Sequence, residues 1–190
     1  MHAIRMHELS RREKMNVIVL VMGITGSGKT TVGKLLAARL HWEFADADDF
    51  HSAANKQKMS QGIALTDADR EPWLEAIRAR MEQWIAMRQN GVMTCSALKQ
   101  SYRDFLFSAA DQHPDDHAEI KLLYLRGTVS LIMERLHSRH GHFAGESLVA
   151  SQLATLEEPT NAVTVDIDKS PEQIADEAIR RLGIDAPKRS

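Results

Sequence analysis

The fold of this chain is predicted most directly by the stretch Gly23-Ile24-Thr25-Gly26-Ser27-Gly28-Lys29-Thr30-Thr31, which contains the pattern G-x-x-x-x-G-K-[ST]. An apolar run at 17–22, which predicts a buried strand, precedes it, and a helical pattern at 32–40 follows. A glycine-rich turn between a strand and a helix N-terminus holds phosphate through its backbone N–H groups. Lys29 adds a positive charge, and the Thr30 hydroxyl can bind Mg²⁺. The stretch therefore predicts a binding site for a nucleoside triphosphate.

The rest of the chain alternates between strand and helix patterns. We predict strands near 16–22, 42–46, 91–96, 120–126 and 162–167, and helices near 28–40, 67–89, 100–112, 128–139, 146–157 and 171–182. This alternation predicts one three-layer α/β/α domain over 16–185, with a five-stranded parallel sheet covered by helices on both faces. A ligand would then bind at the carboxyl ends of the strands. Residues 1–15 are polar and basic, and we expect a flexible tail there or translation from Met15.

Composition and charge exclude several classes of protein. With 190 residues, 43% of them hydrophobic, the chain can form a single core. A net charge of −2 argues against binding to nucleic acid or to a membrane surface. No apolar stretch approaches the ~20 residues of a membrane span. The single cysteine, Cys95, cannot form an internal disulfide, which indicates the reducing cytoplasm.

Acidic residues follow the second predicted strand. Asp46, Asp48 and Asp49 stand where a carboxylate would lie beside the phosphate-binding loop. Such a carboxylate can hold Mg²⁺, usually through water, or accept a proton from an attacking hydroxyl. The third strand ends at 94–95 without an acid, which favours Asp46 or Asp48 as the metal ligand. A solvated acidic turn is the alternative interpretation.

Basic residues follow at least three of the predicted strands. The polar clusters that contain them include His51, Arg70, Lys99, Arg103, Arg135, Arg139 and Gln152. Taken singly, each has an ordinary structural interpretation, such as a surface charge. Taken together, they line a cavity that suits a small anion next to an anionic nucleotide, because only a local excess of positive charge tolerates both.

In these motifs the chain resembles the gluconokinases, P-loop kinases that phosphorylate D-gluconate with ATP. The resemblance covers about 16–168. Besides the loop at 23–30, it rests on Asp46-Ala47-Asp48 with His51, Asn55 with Lys58-Met59, Asp69-Arg70-Glu71-Pro72-Trp73-Leu74, Cys95-Ser96-Ala97-Leu98-Lys99 with Tyr102-Arg103-Asp104, Arg139-His140-Gly141-His142-Phe143, and Gln152 with Leu156-Glu157-Glu158-Pro159. The chain departs from the family pattern at Ala47, where glycine is usual, and at Ser52, where proline is usual.

The resemblance implies a nucleoside-monophosphate-kinase-like fold with a mobile lid at about 134–150. It implies that ATP is bound by the loop at 23–31 and by Arg135. Thr30 and Asp46 would hold Mg²⁺, and Lys29 would contact the transferred phosphoryl group. A homodimer is a further implication.

For the acceptor, the resemblance implies that Asp48 orients and deprotonates the 6-hydroxyl of gluconate. The neighbouring Asp49 leaves open which carboxylate faces the substrate. Arg139 would neutralise the transferring phosphoryl group. The residues implied to bind the carboxylate and hydroxyls of gluconate are His51, Arg70, Lys99, Arg103, Arg139 and Gln152.

Two alternatives differ from this interpretation in class. One is a related small-molecule kinase that acts on shikimate or a nucleoside monophosphate. The other is a nucleotide-binding protein that has no acceptor chemistry.

Overall fold

The computed structural model describes residues 16–112, 117–140 and 146–187, without the side chains at 139–140 and 146–147. Within these residues the chain forms one parallel sheet, made of β1 (Val17–Met22), β2 (Glu43–Asp46), β3 (Gly91–Thr94), β4 (Glu119–Arg126) and β5 (Val163–Asp166). The spatial order of the strands is β2-β3-β1-β4-β5. The predicted tail at 1–15 and the middle of the predicted lid, 141–145, lie outside the described residues.

Helices cover both faces of this sheet. In the described part of the chain they are α1 (Lys29–Leu40), α2 (Ala53–Ser60), α3 (Asp67–Ala86), α4 (Gln100–Asp111), α5 (Val129–His140), α6 (Glu146–Thr155) and α7 (Pro171–Leu182). The predicted three-layer α/β/α fold is therefore confirmed, as are the five strands and the six predicted helices. None of these helices has the length and apolar character that a membrane span requires.

The prediction missed one short helix. α2 follows a 3₁₀ turn at Ala47–Phe50, and Asn55 is its buried residue. An eight-residue helix without an apolar stripe has no periodic signal to reveal it. Its local signal is the side chain of Ser52, which accepts a hydrogen bond from Asn55 N and caps the helix.

The core is divided by the sheet into two apolar clusters. The predicted stripe of α3 is buried on one face, where Trp73, Ile77, Met81 and Trp84 pack with the side chains of α4. α1 and α7 bury their apolar residues on the other face. β1 contributes to both clusters because alternate side chains point to opposite faces of a strand.

The start of α3 is held by the N-cap that the sequence predicts. The Thr66 hydroxyl accepts from Asp69 N, and the Asp69 carboxylate accepts from Thr66 N, which forms a capping box. Pro72 lies close enough to the helix start to be accommodated. This cap matters for the site because α3 carries Arg70 in its first turns.

Candidate active site

The turn between β1 and α1 has the backbone conformation of a phosphate-binding loop. Gly26 and Gly28 adopt φ angles of 78° and 92°, in the left-handed region that favours glycine. Gly28 is the N-cap of α1. The first N–H groups of α1, and the positive end of its dipole, therefore lie at the carboxyl edge of the sheet, where an anion would be stabilised.

α5 packs against this loop and brings Arg135 to it. A Cβ atom on Gly26 would lie 3.1 Å from Ile132 Cγ2, so only glycine allows this approach without a shift. The Arg135 Nη1 atom would lie 3.8 Å from a Cβ atom on Gly28, and its Nη2 donates a hydrogen bond to Ile167 O. The guanidinium thus stands beside the loop, on the nucleotide side.

Gln152 also lies at the loop. Its Oε1 accepts a hydrogen bond of 2.6 Å from Thr25 N. The amide oxygen of α6 therefore engages a backbone N–H group of the phosphate-binding loop. This contact uses the amide oxygen of Gln152, and the role as a substrate donor that the resemblance implies for this residue remains a prediction.

Lys29 is half-buried at the loop, near Asp46 at the end of β2 and Asp48 just after it. Its Nζ donates to Ile24 O at 3.1 Å. Burial lowers the pKa of Lys29, and the charges of Asp48, Cys95 and Asp46 oppose that shift. Asp48 is the largest of the opposing influences, so its negative charge lies near enough to act on the ammonium.

Asp46 and Asp48 have different surroundings although they are two residues apart. Sheet register pairs Asp46 with Thr94, at the carboxyl end of β3. The Asp46 Oδ2 accepts from the Thr30 hydroxyl at 2.7 Å, and its Oδ1 accepts from Asp48 N at 3.2 Å. Asp48 is exposed, and its charge acts on both Lys29 and His51.

The oxygen pair of Thr30 and Asp46 fits Mg²⁺. This ion prefers oxygen ligands and usually takes one or two from the protein, while phosphate and water supply the rest. The two side chains already lie within hydrogen-bond distance of each other at the mouth of the loop. Asp48, which makes no such bond to Thr30, remains available for a proton.

His51 follows the turn that carries Asp48 and packs against α3, the helix that carries Arg70. Its ring stacks on Trp73 at a centroid distance of 4.5 Å, and Trp73 Nε1 donates to Ala47 O at 2.7 Å. Burial lowers the pKa of His51; the charge of Asp48 opposes that shift, and the charges of Lys56 and Arg70 add to it. The ring is therefore neutral at pH 7, and its buried Nδ1 has no hydrogen-bond partner among the described residues.

Arg70 and Lys99 come from different helices and meet at one carboxylate. Lys99 Nζ donates to Asp67 Oδ1 and Oδ2 at 2.9 and 2.7 Å, and Arg70 Nη1 lies 3.3 Å from Oδ1. The Tyr102 hydroxyl donates to the same Oδ1 at 2.5 Å. We call these four residues the Asp67 cluster. Sequence reasoning assigned no site role to Asp67 or Tyr102, because their meeting depends on how α3 packs against α4.

Arg103 requires a correction, because its position does not suit a substrate ligand. Its side chain is 0% exposed, and its Nη1 donates to Ala97 O and Leu98 O at 2.8 and 3.0 Å. Its Nη2 donates to Gln100 Oε1 and Glu157 O at 2.7 and 2.8 Å. The guanidinium is occupied by backbone carbonyls and stabilises the turn before α4.

Arg139 belongs to α5, but its side chain lies outside the described part of the structure. Its predicted catalytic and substrate-binding roles therefore remain predictions. The predicted lid, at about 134–150, includes the second half of α5 and the start of α6.

Comparison with known proteins agrees with this geometry. Residues 25–183 match the shikimate kinase family. A probable gluconokinase of Mus musculus is 42% identical over 170 residues, which are 83% of this chain and 92% of that protein. A gluconokinase of Gluconobacter oxydans is 40% identical, with 93% and 96% of the two chains covered. The crystal structure of a gluconokinase from Sinorhizobium meliloti has a TM-score of 0.76 and 38% identity, covering 90% of this chain and 92% of that one.

The site combines a phosphate-binding loop, two carboxylates at the end of β2 and, apart from them, the cations of the Asp67 cluster. This combination is typical of P-loop kinases that act on small molecules. The chain belongs to the shikimate kinase family of P-loop kinases and, within it, to the gluconokinases.

Proposed function

We propose that this enzyme transfers the γ-phosphoryl group of ATP to the 6-hydroxyl of D-gluconate, giving 6-phospho-D-gluconate and ADP. The observation that carries the proposal is the convergence of two unlike sites around His51. The His51 ring stacks on Trp73 of α3, the helix that carries Arg70, and Trp73 Nε1 donates to Ala47 O, next to Asp48. A substrate with a hydroxyl at one end and a carboxylate at the other would bridge the two.

On the nucleotide side, the backbone of 23–31 binds the phosphates of ATP. Lys29 and Arg135 neutralise charge there, and Thr30 with Asp46 holds Mg²⁺. Bound ATP with Mg²⁺ supplies an electrophilic phosphoryl group. The protein then has to position this group and stabilise its charge, which is where most of the catalysis in phosphoryl transfer lies.

On the acceptor side, Asp48 accepts the proton of the 6-hydroxyl as it attacks. The carboxylate is exposed, and its charge acts on the Lys29 ammonium at the phosphate loop. Arg70 and Lys99 bind the carboxylate of gluconate, and the neutral ring of His51 contacts its hydroxyls. Arg139 adds positive charge to the transferred group when the lid closes.

A carboxylate site of this kind should discriminate strongly between gluconate and neutral polyols. A guanidinium grips a carboxylate through two parallel hydrogen bonds, and a polyol cannot return them. A polar site left partly unpaired by the wrong ligand can discriminate by about 10⁴–10⁵. We therefore expect kcat/KM for gluconate to exceed that for sorbitol or glucose by several orders of magnitude, although all three offer a terminal hydroxyl.

The test is kcat/KM for gluconate and sorbitol in the parent enzyme, Arg70→Lys and Arg78→Lys. Arg78 is a matched control, because it lies on the same helix and its side chain is 31% exposed, against 28% for Arg70. Arg70→Lys should lower kcat/KM for gluconate, since lysine keeps the charge but loses the planar fork. Equal values for gluconate and sorbitol in the parent would contradict the proposal, and turnover of shikimate in the same assay would redirect it.

The proposal includes a homodimer that works in the cytoplasm. The homodimer is implied by the resemblance to gluconokinases. A reducing compartment agrees with the single cysteine, Cys95, which is buried and free.

A further inference from the structure

The Asp67 cluster contains an acid at the centre of what should be an anion-binding site. Asp67 is the first residue of α3, and its carboxylate receives hydrogen bonds from Lys99, Arg70 and Tyr102. Its side chain is 64% exposed, whereas those of Lys99 and Arg70 are 29% and 28% exposed. The acid is therefore the most exposed of the three charged groups, and it occupies the donors of both cations.

The ionisation states within the cluster are well defined near neutral pH. The hydrogen bonds from Lys99 and then Tyr102 lower the pKa of Asp67 to about 2, so the acid is charged. The bond to Asp67 raises the pKa of Lys99, and burial raises the pKa of Tyr102, so the phenol is neutral. Two cations and one anion leave a single net positive charge.

The neighbours of the cluster do not alter this charge. Lys58 and Asp69 form their own ion pair at 2.7 Å, and His51 is neutral because burial lowers its pKa. A ligand that approaches Arg70 and Lys99 therefore meets a net charge of one positive unit.

We propose that Asp67 is a specificity-determining residue that reduces the charge of the acceptor site to one, so that it matches a monoanionic carboxylate and disfavours a dianionic phosphate. The inference rests on the proposed function, whose substrate carries one carboxylate. Two cations without Asp67 would attract a dianion more strongly than a monoanion, because Coulomb energy scales with the product of the charges. Such a site would favour polyol phosphates, which share hydroxyl groups with gluconate but carry a dianion in place of the carboxylate.

The probe is D-arabinitol 1-phosphate, a competitor of gluconate. It places a phosphate where gluconate has its carboxylate, and its remaining stereocentres match those of gluconate. At pH 8 the phosphate is a dianion, since its second pKa is about 6. The quantity measured is the ratio of its inhibition constant, competitive with gluconate at saturating ATP and Mg²⁺, to the KM for gluconate. A ratio is used because a general loss of order in the site would weaken both ligands.

We expect Asp67→Asn to lower this ratio about three- to tenfold, in line with a partly screened unit charge a few ångströms away. Asp176→Asn is the matched control: Asp176 pairs with Arg39 at 2.5 Å and is 67% exposed, but it joins α1 to α7. The control should leave the ratio unchanged.

A second pair of variants separates charge from positioning. Lys99→Gln removes one cation and should raise the ratio, opposite to Asp67→Asn. The double variant Asp67→Asn/Lys99→Gln has the parental net charge again, so its ratio should return to within about twofold of the parent. An unchanged or higher ratio in Asp67→Asn would overturn the inference. So would a double variant whose ratio stays as low as that of Asp67→Asn. If Asp67→Asn does not fold, Asp67→Ser, which removes the same charge, takes its place, and an unchanged or higher ratio in that variant would overturn the inference.

These outcomes are distinguishable from failure of the proposed function. If the parent enzyme does not phosphorylate gluconate, the proposed function fails and this inference with it. If the parent phosphorylates gluconate but the ratio does not fall in Asp67→Asn, only the role of Asp67 is wrong.

Discussion

At the scale of single residues, Asp46 and Asp48 are identical side chains in different surroundings, which favours a different role for each. Both oxygens of Asp46 already accept hydrogen bonds, one of them from Thr30, a predicted ligand of Mg²⁺. Asp48 is exposed, and its charge acts on both the Lys29 ammonium and the neutral ring of His51. A general base must be free to take a proton, whereas a metal ligand benefits from being held in place.

We therefore expect Asp48→Asn to lower kcat by about 10²–10⁴ and to leave the KM for ATP nearly unchanged, because the amide keeps the size but cannot accept the proton. Steady-state kinetics with both substrates varied measures this. Asp49→Asn is the control, since Asp49 is equally exposed and follows directly in the chain. If Asp46→Asn loses kcat while Asp48→Asn stays active, the two assignments are reversed.

At the scale of elements, Arg103 connects α4 to the chain that follows α6. Its guanidinium holds the carbonyls of Ala97 and Leu98, just before Lys99, and that of Glu157. Ala97 has a φ of 44°, which costs energy for a residue with a side chain, so this turn needs support from outside. The same turn places Lys99 at the N-cap of α4.

Arg103→Lys should lower the free energy of unfolding by about 2–4 kcal/mol, because lysine cannot reach several carbonyls at once and leaves some of them buried and unpaired. Urea denaturation measures the loss, with Arg78→Lys as a partly exposed control that should change by no more than about 0.5 kcal/mol. A stable Arg103→Lys protein with a raised KM for gluconate would restore the substrate-binding role that the structure speaks against.

At the scale of the whole molecule, the nucleotide site is assembled from β1, α1, β2 and α5. Each contributes one group: the loop after β1, Thr30 of α1, Asp46 of β2 and Arg135 of α5. A ligand that contacts all of them should therefore stabilise the folded chain as a unit.

We expect a non-hydrolysable ATP analogue with Mg²⁺, at about a hundred times its Kd, to stabilise the protein by about 2.7 kcal/mol. For a domain of this size that corresponds to roughly 5–10 °C in Tm. Thermal unfolding with analogue and Mg²⁺, and again with EDTA, measures the shift. Thr30→Val should remove most of the Mg²⁺-dependent part, and a Tm that does not respond to the analogue would contradict the assignment of the loop.

Much of this protein could be predicted from the sequence, because the deciding signals are local. A phosphate-binding loop such as 23–30 requires its glycines and its lysine in any protein that contains one. The buried strand β1 before it is a continuous apolar run in the sequence. The alternation of strand and helix patterns then allows few topologies. The N-cap at Thr66 was predictable for the same reason, since a capping box is contained within four residues.

Only the tertiary structure decided what each cation binds. Arg70 and Arg103 are equivalent in the sequence, yet one lies partly exposed in the Asp67 cluster and the other is buried under backbone carbonyls. Asp67 and Tyr102 have no local signal, because they meet only when α3 packs against α4. The physical reason is that a backbone motif specifies its own conformation, whereas the charge that a side chain faces depends on residues far away in the chain.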